Sequence, residues 1–202
     1  MNMFRTAAVT AATAVLTVAS LSAATAAPAP TPAPAPKFLA AKELPASQTP
    51  WTASKVKEGV ADDFCTEKIA PKSSSTYRTF RTELDTGAHQ TVTVAATGAK
   101  AKALVGKLRS SVEDCLGKLK KEYPGLKGTS RYQGKVSVEE GAYVYSIDTA
   151  DPKSGSDDIR LYSVGRDGRT VTVVGWGRLG DLDGVPLKGF KKTTRTAVAK
   201  LR

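Results

Sequence analysis

A hairpin signature near the C-terminus constrains the fold of this chain more than any other feature. Two runs rich in β-branched and aromatic residues, 159–164 and 170–176, flank the turn sequence 165–169. Such runs form strands, and the dipeptide Asp167-Gly168 between them is a preferred centre for a two-residue type I′ turn. The sequence therefore predicts two antiparallel strands joined by a tight turn.

The predicted register divides the hairpin side chains between two faces, and the turn places Leu161 opposite Val174 and Ile159 opposite Trp176. The other face, which we assign to a helix-covered core, carries Tyr162, Val164, Val171 and Val173.

The apolar far end of the first face needs either a cover or a ligand. The N-terminal segment, 38–51, could supply the cover. If the face is open instead, the predicted ligand-binding residues are Trp51, Ile159, Leu161, Val174 and Trp176.

Helical periodicity occurs in three places. Apolar residues recur every three or four positions over 99–122, with Thr97 as a start signal and Pro124-Gly125 as a stop. A second long helix is predicted over 187–201, and a short helix over 54–65, where Val56, Val60 and Phe64 recur at every fourth residue.

Further strands are predicted at 77–84, 90–96, 129–132, 135–138 and 142–149. Hairpins combined with only two long helices indicate an α+β fold. We expect an antiparallel sheet of about six strands, with the two long helices packed mainly on one face.

The N-terminus has the features of a secretory signal peptide. Residues 1–26 contain one basic residue, an apolar run and the small residues Ala24 and Ala26 before the expected cleavage site. A Pro/Ala-rich linker, 27–37, follows and favours extended polyproline II structure. We expect a secreted, extracellular protein with a single folded domain, 38–202, and without a membrane span.

Cys65 and Cys115 are the two cysteines of the chain. Outside the cell, two cysteines in one chain most simply pair with each other, so we predict a Cys65–Cys115 disulfide.

Motifs for catalysis or metal binding are weak. His89 is the single histidine, and its place beside a predicted turn favours a solvated side chain. The sequence 181–184 resembles a calcium loop but lacks the closing acid, so we interpret it as a polar turn. We predict no catalytic residues, no metal and no cofactor, and we keep a hydrolase as the least favoured function.

The chain resembles the actinobacterial PknH-type extracellular sensor domains. The residues that carry the resemblance are segment 38–45, Trp51, the Cys65 and Cys115 pair, the long helix 99–119 and the late hairpin sequence 166–169. The resemblance implies an antiparallel sheet with a ligand cleft beside it. The chain has one cysteine pair where the kinase-attached domains have two, and it has no kinase segment, so the resemblance implies binding and not signalling.

Two binding functions follow from the sequence. The first is a secreted, monomeric, non-catalytic sensor-like domain that binds a small apolar or amphipathic ligand. The second is a cell-envelope module that binds anionic polymers through its basic helices, because 30 Lys and Arg against 19 Asp and Glu give a net charge of +11. Nucleic acid is not expected, since the basic residues are not interleaved with aromatic side chains.

Overall fold

Strand-forming segments dominate the structure, a computed structural model that describes residues 35–66 and 68–202. Eight strands form one antiparallel sheet with the order β1-β3-β4-β8-β7-β6-β5, and β2 also pairs with β3. Their bounds are β1 (Thr52–Ala53), β2 (Lys57–Glu58), β3 (Ser75–Arg81), β4 (Gly87–Val94), β5 (Lys127–Val136), β6 (Ala142–Asp151), β7 (Ser156–Asp167) and β8 (Thr170–Leu179). The predicted signal peptide and most of the predicted linker lie outside the described residues.

The predicted antiparallel α+β class is confirmed, but the sheet has eight strands instead of about six, and three helices are observed among the described residues instead of the two predicted long ones. The two weak strands predicted over 129–138 are one strand, β5, with an irregularity between Tyr132 and Gly134. The helices are α1 (Gly98–Glu113), α2 (Cys115–Glu122) and α3 (Leu187–Ala199). No helix in the described part of the chain is long and apolar enough to cross a membrane.

The long predicted helix is observed as α1 and α2, which meet at Asp114. Thr97 caps the start of α1, because its hydroxyl accepts a hydrogen bond from the backbone N–H of Lys100 at 3.1 Å. The backbone N–H of Asp114 still bonds to the carbonyl of Ser110, and Lys118 bonds to Asp114. The break is therefore slight, and both helices follow the same face of the sheet.

The helices cover both faces of the sheet, so the predicted packing on mainly one face is wrong. Helices α1 and α2 cover what we call the α1 face, whose buried strand residues include Tyr145, Tyr162, Val164, Val171 and Val173. Helix α3 covers the opposite, α3 face, whose buried strand residues include Phe80, Val92, Val144, Ile159, Leu161, Val174 and Trp176. Strands β7 and β8 are apolar on both faces, and each face requires its own cover.

The hairpin β7–β8 is confirmed, but its register is wrong by two residues. The two turn residues are Gly168 and Arg169, so Leu161 pairs with Trp176 and Ser163 with Val174. Gly168 has φ +54°, and glycine at the first central position is typical of a type II′ turn. A shift of two preserves the alternation of side chains, so the predicted faces are still correct.

The N-terminal segment, 38–51, supplies the cover of the α3 face. The backbone N–H of Leu39 donates to the buried Gln90 side chain at 2.8 Å, and Arg78 donates to the Leu39 carbonyl at 3.0 Å. Leu39 and Leu44 then pack in the same core cluster as Ile159 and Leu161. The covered alternative for the apolar hairpin face is therefore observed.

The predicted short helix over 54–65 is wrong. Residues 57–58 form β2, which pairs with Thr76 and Tyr77, and Gly59 has φ +96°, which is unfavourable inside a helix. Val56 is 44% exposed and Phe64 is 42% exposed. Their helical spacing does not coincide with a buried face.

Candidate functional site

Two neighbouring cavities lie at the end of the sheet formed by the β3–β4 turn and the C-terminal half of β8. The first cavity, of about 450 Å³, lies beside Asp63, Gly87, His89, Arg160, Gly175 and Gly177. The second cavity, of about 470 Å³, lies beside Ser47, Thr49, Asp85, Trp176, Arg178 and Pro186. Trp176 and Arg178 line both cavities, as does the turn 82–86.

Glycine residues form the floor of the first cavity. Gly87 pairs with Gly177 across β4 and β8, and His89 pairs with Gly175. A Cβ atom at Gly87 would have no neighbour nearer than 3.9 Å, whereas a Cβ at Gly175 would overlap the His89 ring. The glycines thus leave space on one face of the sheet, and the His89 imidazole occupies the part of it over Gly175.

The His89 side chain is half-buried in the wall of the first cavity, contrary to the predicted solvated histidine. Its Nε2 atom is buried without a hydrogen-bond partner. Burial lowers the pKa of His89 below its ordinary value; the Asp63 carboxylate opposes this effect and the Arg160 guanidinium reinforces it. The folded protein therefore favours the neutral imidazole.

The loop 61–66 contributes Asp62 and Asp63 to the wall of the first cavity, and the side chain of Asp63 fixes the loop. One oxygen of its carboxylate accepts from the backbone N–H of Cys65 at 3.1 Å and from the Thr66 hydroxyl at 2.9 Å. The other oxygen accepts from the Tyr162 hydroxyl at 2.8 Å. Burial raises the pKa of Tyr162, and the carboxylate of Asp63 adds to the effect, so this hydroxyl keeps its proton.

The predicted disulfide is confirmed and attaches this loop to the helices. Cys65 and Cys115 are bonded, and both are buried against α1 and α2. Next to the bond, the hydroxyl of Ser111 donates to the Cys65 carbonyl at 2.6 Å. The disulfide therefore helps to hold Asp63 over the cavity.

The walls of the second cavity come from separate parts of the chain. Asp85 in the β3–β4 turn accepts from the backbone N–H of Leu179 at 2.9 Å, which fixes the turn to the end of β8. Arg178 donates through Nη2 to the carbonyl of Asp183 at 2.8 Å, in the loop before α3. The hydroxyl of Ser47 is used within the N-terminal segment, where it donates to the Thr49 carbonyl.

Polar atoms that are buried without a partner gather at these two cavities. Within 35–66 and 68–202, four side-chain atoms have this property: Thr49 Oγ1, His89 Nε2, Trp176 Nε1 and Arg178 Nε. All four belong to residues that line one cavity or both. A buried polar group without a partner costs about 1–3 kcal/mol, so their concentration at one end of the sheet marks the region where a polar molecule would gain most.

The structure places the predicted ligand-binding residues mainly in the core. Ile159, Leu161 and Val174 are at most 1% exposed and Trp176 is 5% exposed. Trp51 packs against the same cluster, and its indole N–H donates to the Pro45 carbonyl at 2.8 Å. Of these five predicted residues, Trp176 is the one that lines the two cavities in the described part of the chain.

Sequence reasoning assigned His89 to solvent and Tyr162 to the core, and it did not predict that these two residues line a cavity with Asp63 and Arg160. One signal for the cavity was present in the sequence Gly175-Trp176-Gly177. Glycines two residues apart lie on the same face of a strand and leave that face without side chains, which permits close approach of another group. The acidic residue that bonds to Tyr162 could not be inferred, because the two are 99 positions apart.

Comparison with protein-family models, curated proteins and solved structures gives no match to this chain. The resemblance to PknH-type extracellular sensor domains therefore rests on the residues quoted above and stays a prediction. Secretion also stays a prediction, since it depends on residues 1–26.

The environment of His89 predicts a loss of stability in acid. Because the folded state holds its pKa below the ordinary value of 6.5, unfolding takes up a proton once the pH falls below about 6.5. The free energy of unfolding should therefore fall with decreasing pH, by at most about 1.4 kcal/mol per pH unit from this group.

Denaturant unfolding between pH 7.5 and pH 5 measures this effect in the wild type and in His89→Gln. His89 is the single histidine, so the variant should lose the whole histidine contribution. The same pH slope in both proteins would contradict the prediction.

Proposed function

We propose that the protein is a non-catalytic binding protein, acting outside the cell, whose small ligand lies in the first cavity. The observation that carries this proposal is the Nε2 atom of His89, which is buried without a hydrogen-bond partner in a residue that lines the first cavity and not the second. A ligand that supplies hydrogen bonds there recovers free energy that the folded chain alone does not. The glycine floor gives such a ligand room against the backbone of β4 and β8.

The lining of the first cavity favours a polar or amphipathic ligand over a purely apolar one. The guanidinium of Arg160 and the carboxylate of Asp158 lie at its wall, together with the half-buried His89. Asp63 is already used by three hydrogen bonds from the protein. The apolar residues first predicted to bind a ligand are buried in the core, so the polar cavity replaces the apolar cleft in this proposal.

A panel of small solutes tests the proposal. We expect at least one member of a panel of amino acids, monosaccharides, nucleosides and short carboxylic acids to raise the melting temperature saturably. A ligand at 100 times its Kd stabilises the folded state by about 2.7 kcal/mol, which is about 5–10 °C for a chain of this size.

A cavity-filling variant locates the binding. Gly87→Leu projects a side chain into the first cavity without removing a polar group, because a Cβ there has space. Gly106→Leu is the matched control, since it makes the same change on an exposed part of α1. Gly87→Leu should abolish the shift and Gly106→Leu should retain it. The proposal would be overturned if no solute raises the melting temperature of the wild type, or if every solute that does so keeps its full effect in a folded Gly87→Leu protein.

The alternative function, binding of anionic cell-envelope polymers, stays a prediction. The basic residues of the helices, which this function requires, do not form one continuous surface. Lys118, Lys120 and Lys121 lie on α2, whereas Lys188 and Lys192 lie on α3, which packs on the opposite face of the sheet. A polymer would have to contact two separated surfaces, so the geometry favours the cavity.

A further inference from the structure

The unpartnered polar atoms of the second cavity are hydrogen-bond donors. Two of its unpartnered atoms, Trp176 Nε1 and Arg178 Nε, carry hydrogen and can only donate. The third, the hydroxyl of Thr49, can donate as well. The molecule that satisfies these atoms must therefore present acceptors.

The charge of Arg178 indicates that the acceptor is anionic. Its guanidinium is partly buried, and its one hydrogen bond in the described chain goes to a neutral backbone carbonyl. None of the ion pairs within 4.0 Å among the described residues includes Arg178. Asp85, the carboxylate of the cavity wall, already accepts from the backbone of Leu179. A partly buried cation without a carboxylate partner is stabilised by an anion.

We infer that the second cavity binds an oxyanion, a carboxylate or phosphate group, through the N–H donors of Trp176 and Arg178 and the hydroxyl of Thr49. Charge-assisted hydrogen bonds from a guanidinium and an indole N–H are suited to such a group. The site is separate from the glycine-floored first cavity, although it shares Trp176 and Arg178 with it. It can hold a free anion or the acidic group of a larger solute.

Indole N–H resonances give a direct test. In ¹⁵N-labelled protein, inorganic phosphate and acetate are titrated separately at constant ionic strength. The Nε1–H peak of Trp176 should shift saturably with at least one anion. The peak of Trp51 is an internal control, because its N–H is already bonded to the Pro45 carbonyl. A response to phosphate alone, to acetate alone or to both identifies the source of the oxyanion.

Variants of Arg178 connect the shift to the site. Arg178→Gln should lower the affinity for the anion at least about tenfold, since it removes a charged donor. Arg178→Lys, which keeps the charge but not the Nε donor, should give an intermediate affinity. Lys192→Gln removes the same charge from an exposed position of α3 and should leave the affinity unchanged. Each variant is checked for a folded spectrum before titration.

Four results would overturn the inference, three from the titrations described above and one from the Gly87→Leu variant. The Trp176 peak does not move with either anion, or it moves linearly without saturation, or it moves equally in a folded Arg178→Gln protein. The Gly87→Leu variant separates this inference from the proposed function, because it fills the first cavity only. A saturable shift that persists in Gly87→Leu supports an independent oxyanion site, and a shift lost in that folded variant assigns the anion to the first cavity instead.

Discussion

Replacing both Cys65 and Cys115 by alanine should lower the free energy of unfolding by about 4 kcal/mol. The two cysteines are 50 positions apart, and the bond between them restricts the unfolded chain over that length. Both sulfurs are also buried, so the double variant loses core contacts as well. For a chain of this size we expect the melting temperature to fall by about 10 °C.

Reduction of the wild type separates the cross-link from the loss of sulfur. The protein is unfolded, reduced and refolded in reductant, so that both thiols are present but not bonded. Its free energy of unfolding should lie well below that of the oxidised protein, and above that of the double alanine variant by the contribution of the retained sulfur contacts. Equal stability of the oxidised and reduced proteins would contradict the prediction and would leave Asp63 and its hydrogen bonds as the main restraint on loop 61–66.

Local signals account for the parts of the fold that the sequence predicts correctly. The long helix is marked by its apolar repeat and by the cap at Thr97, and the β7–β8 hairpin by two strand-like runs around Gly168. These features depend on residues only a few positions apart. The same locality explains the error in register, because two different glycine-containing turns fit the sequence around Asp167 and differ by two residues in pairing.

The arrangement of the layers depends on contacts between distant residues. The apolar end of the hairpin showed that a cover was needed, but not that α3 would join the N-terminal segment there. In the structure, the Thr193 hydroxyl donates to the Glu43 carbonyl at 2.6 Å, across 150 positions of the chain. Periodicity within α3 identifies its apolar side and contains no information about which face of the sheet receives it.

The candidate site was predictable only in part, for the same reason. Trp176 was identified as an apolar residue at the far end of the hairpin, whereas its place at the cavities depends on the β3–β4 turn that meets it. Arg178 follows two residues later on the same face, and nothing local distinguishes it from the other basic residues of the chain. The cavities are assembled from segments that meet only in the fold.

The close contact between His89 and Gly175 gives the second large prediction. A Cβ atom at position 175 would lie 2.2 Å from Cε1 of the imidazole, well inside van der Waals contact. Gly175→Ala should therefore lower the free energy of unfolding by about 2 kcal/mol and push the ring toward the first cavity. Gly87→Ala, on the neighbouring strand, is the matched control and should change stability by less than about 0.5 kcal/mol, because a Cβ has space there.

Removing the ring should rescue the glycine substitution. In a His89→Ala background, the added methyl group at position 175 no longer meets the imidazole, so Gly175→Ala should cost little or nothing. The double-mutant cycle, measured by denaturant unfolding, should then give a coupling energy of at least about 1 kcal/mol. Additive effects of the two substitutions would show that the ring moves away freely in the single variant, and that the glycine at 175 is not what fixes His89 beside the cavity.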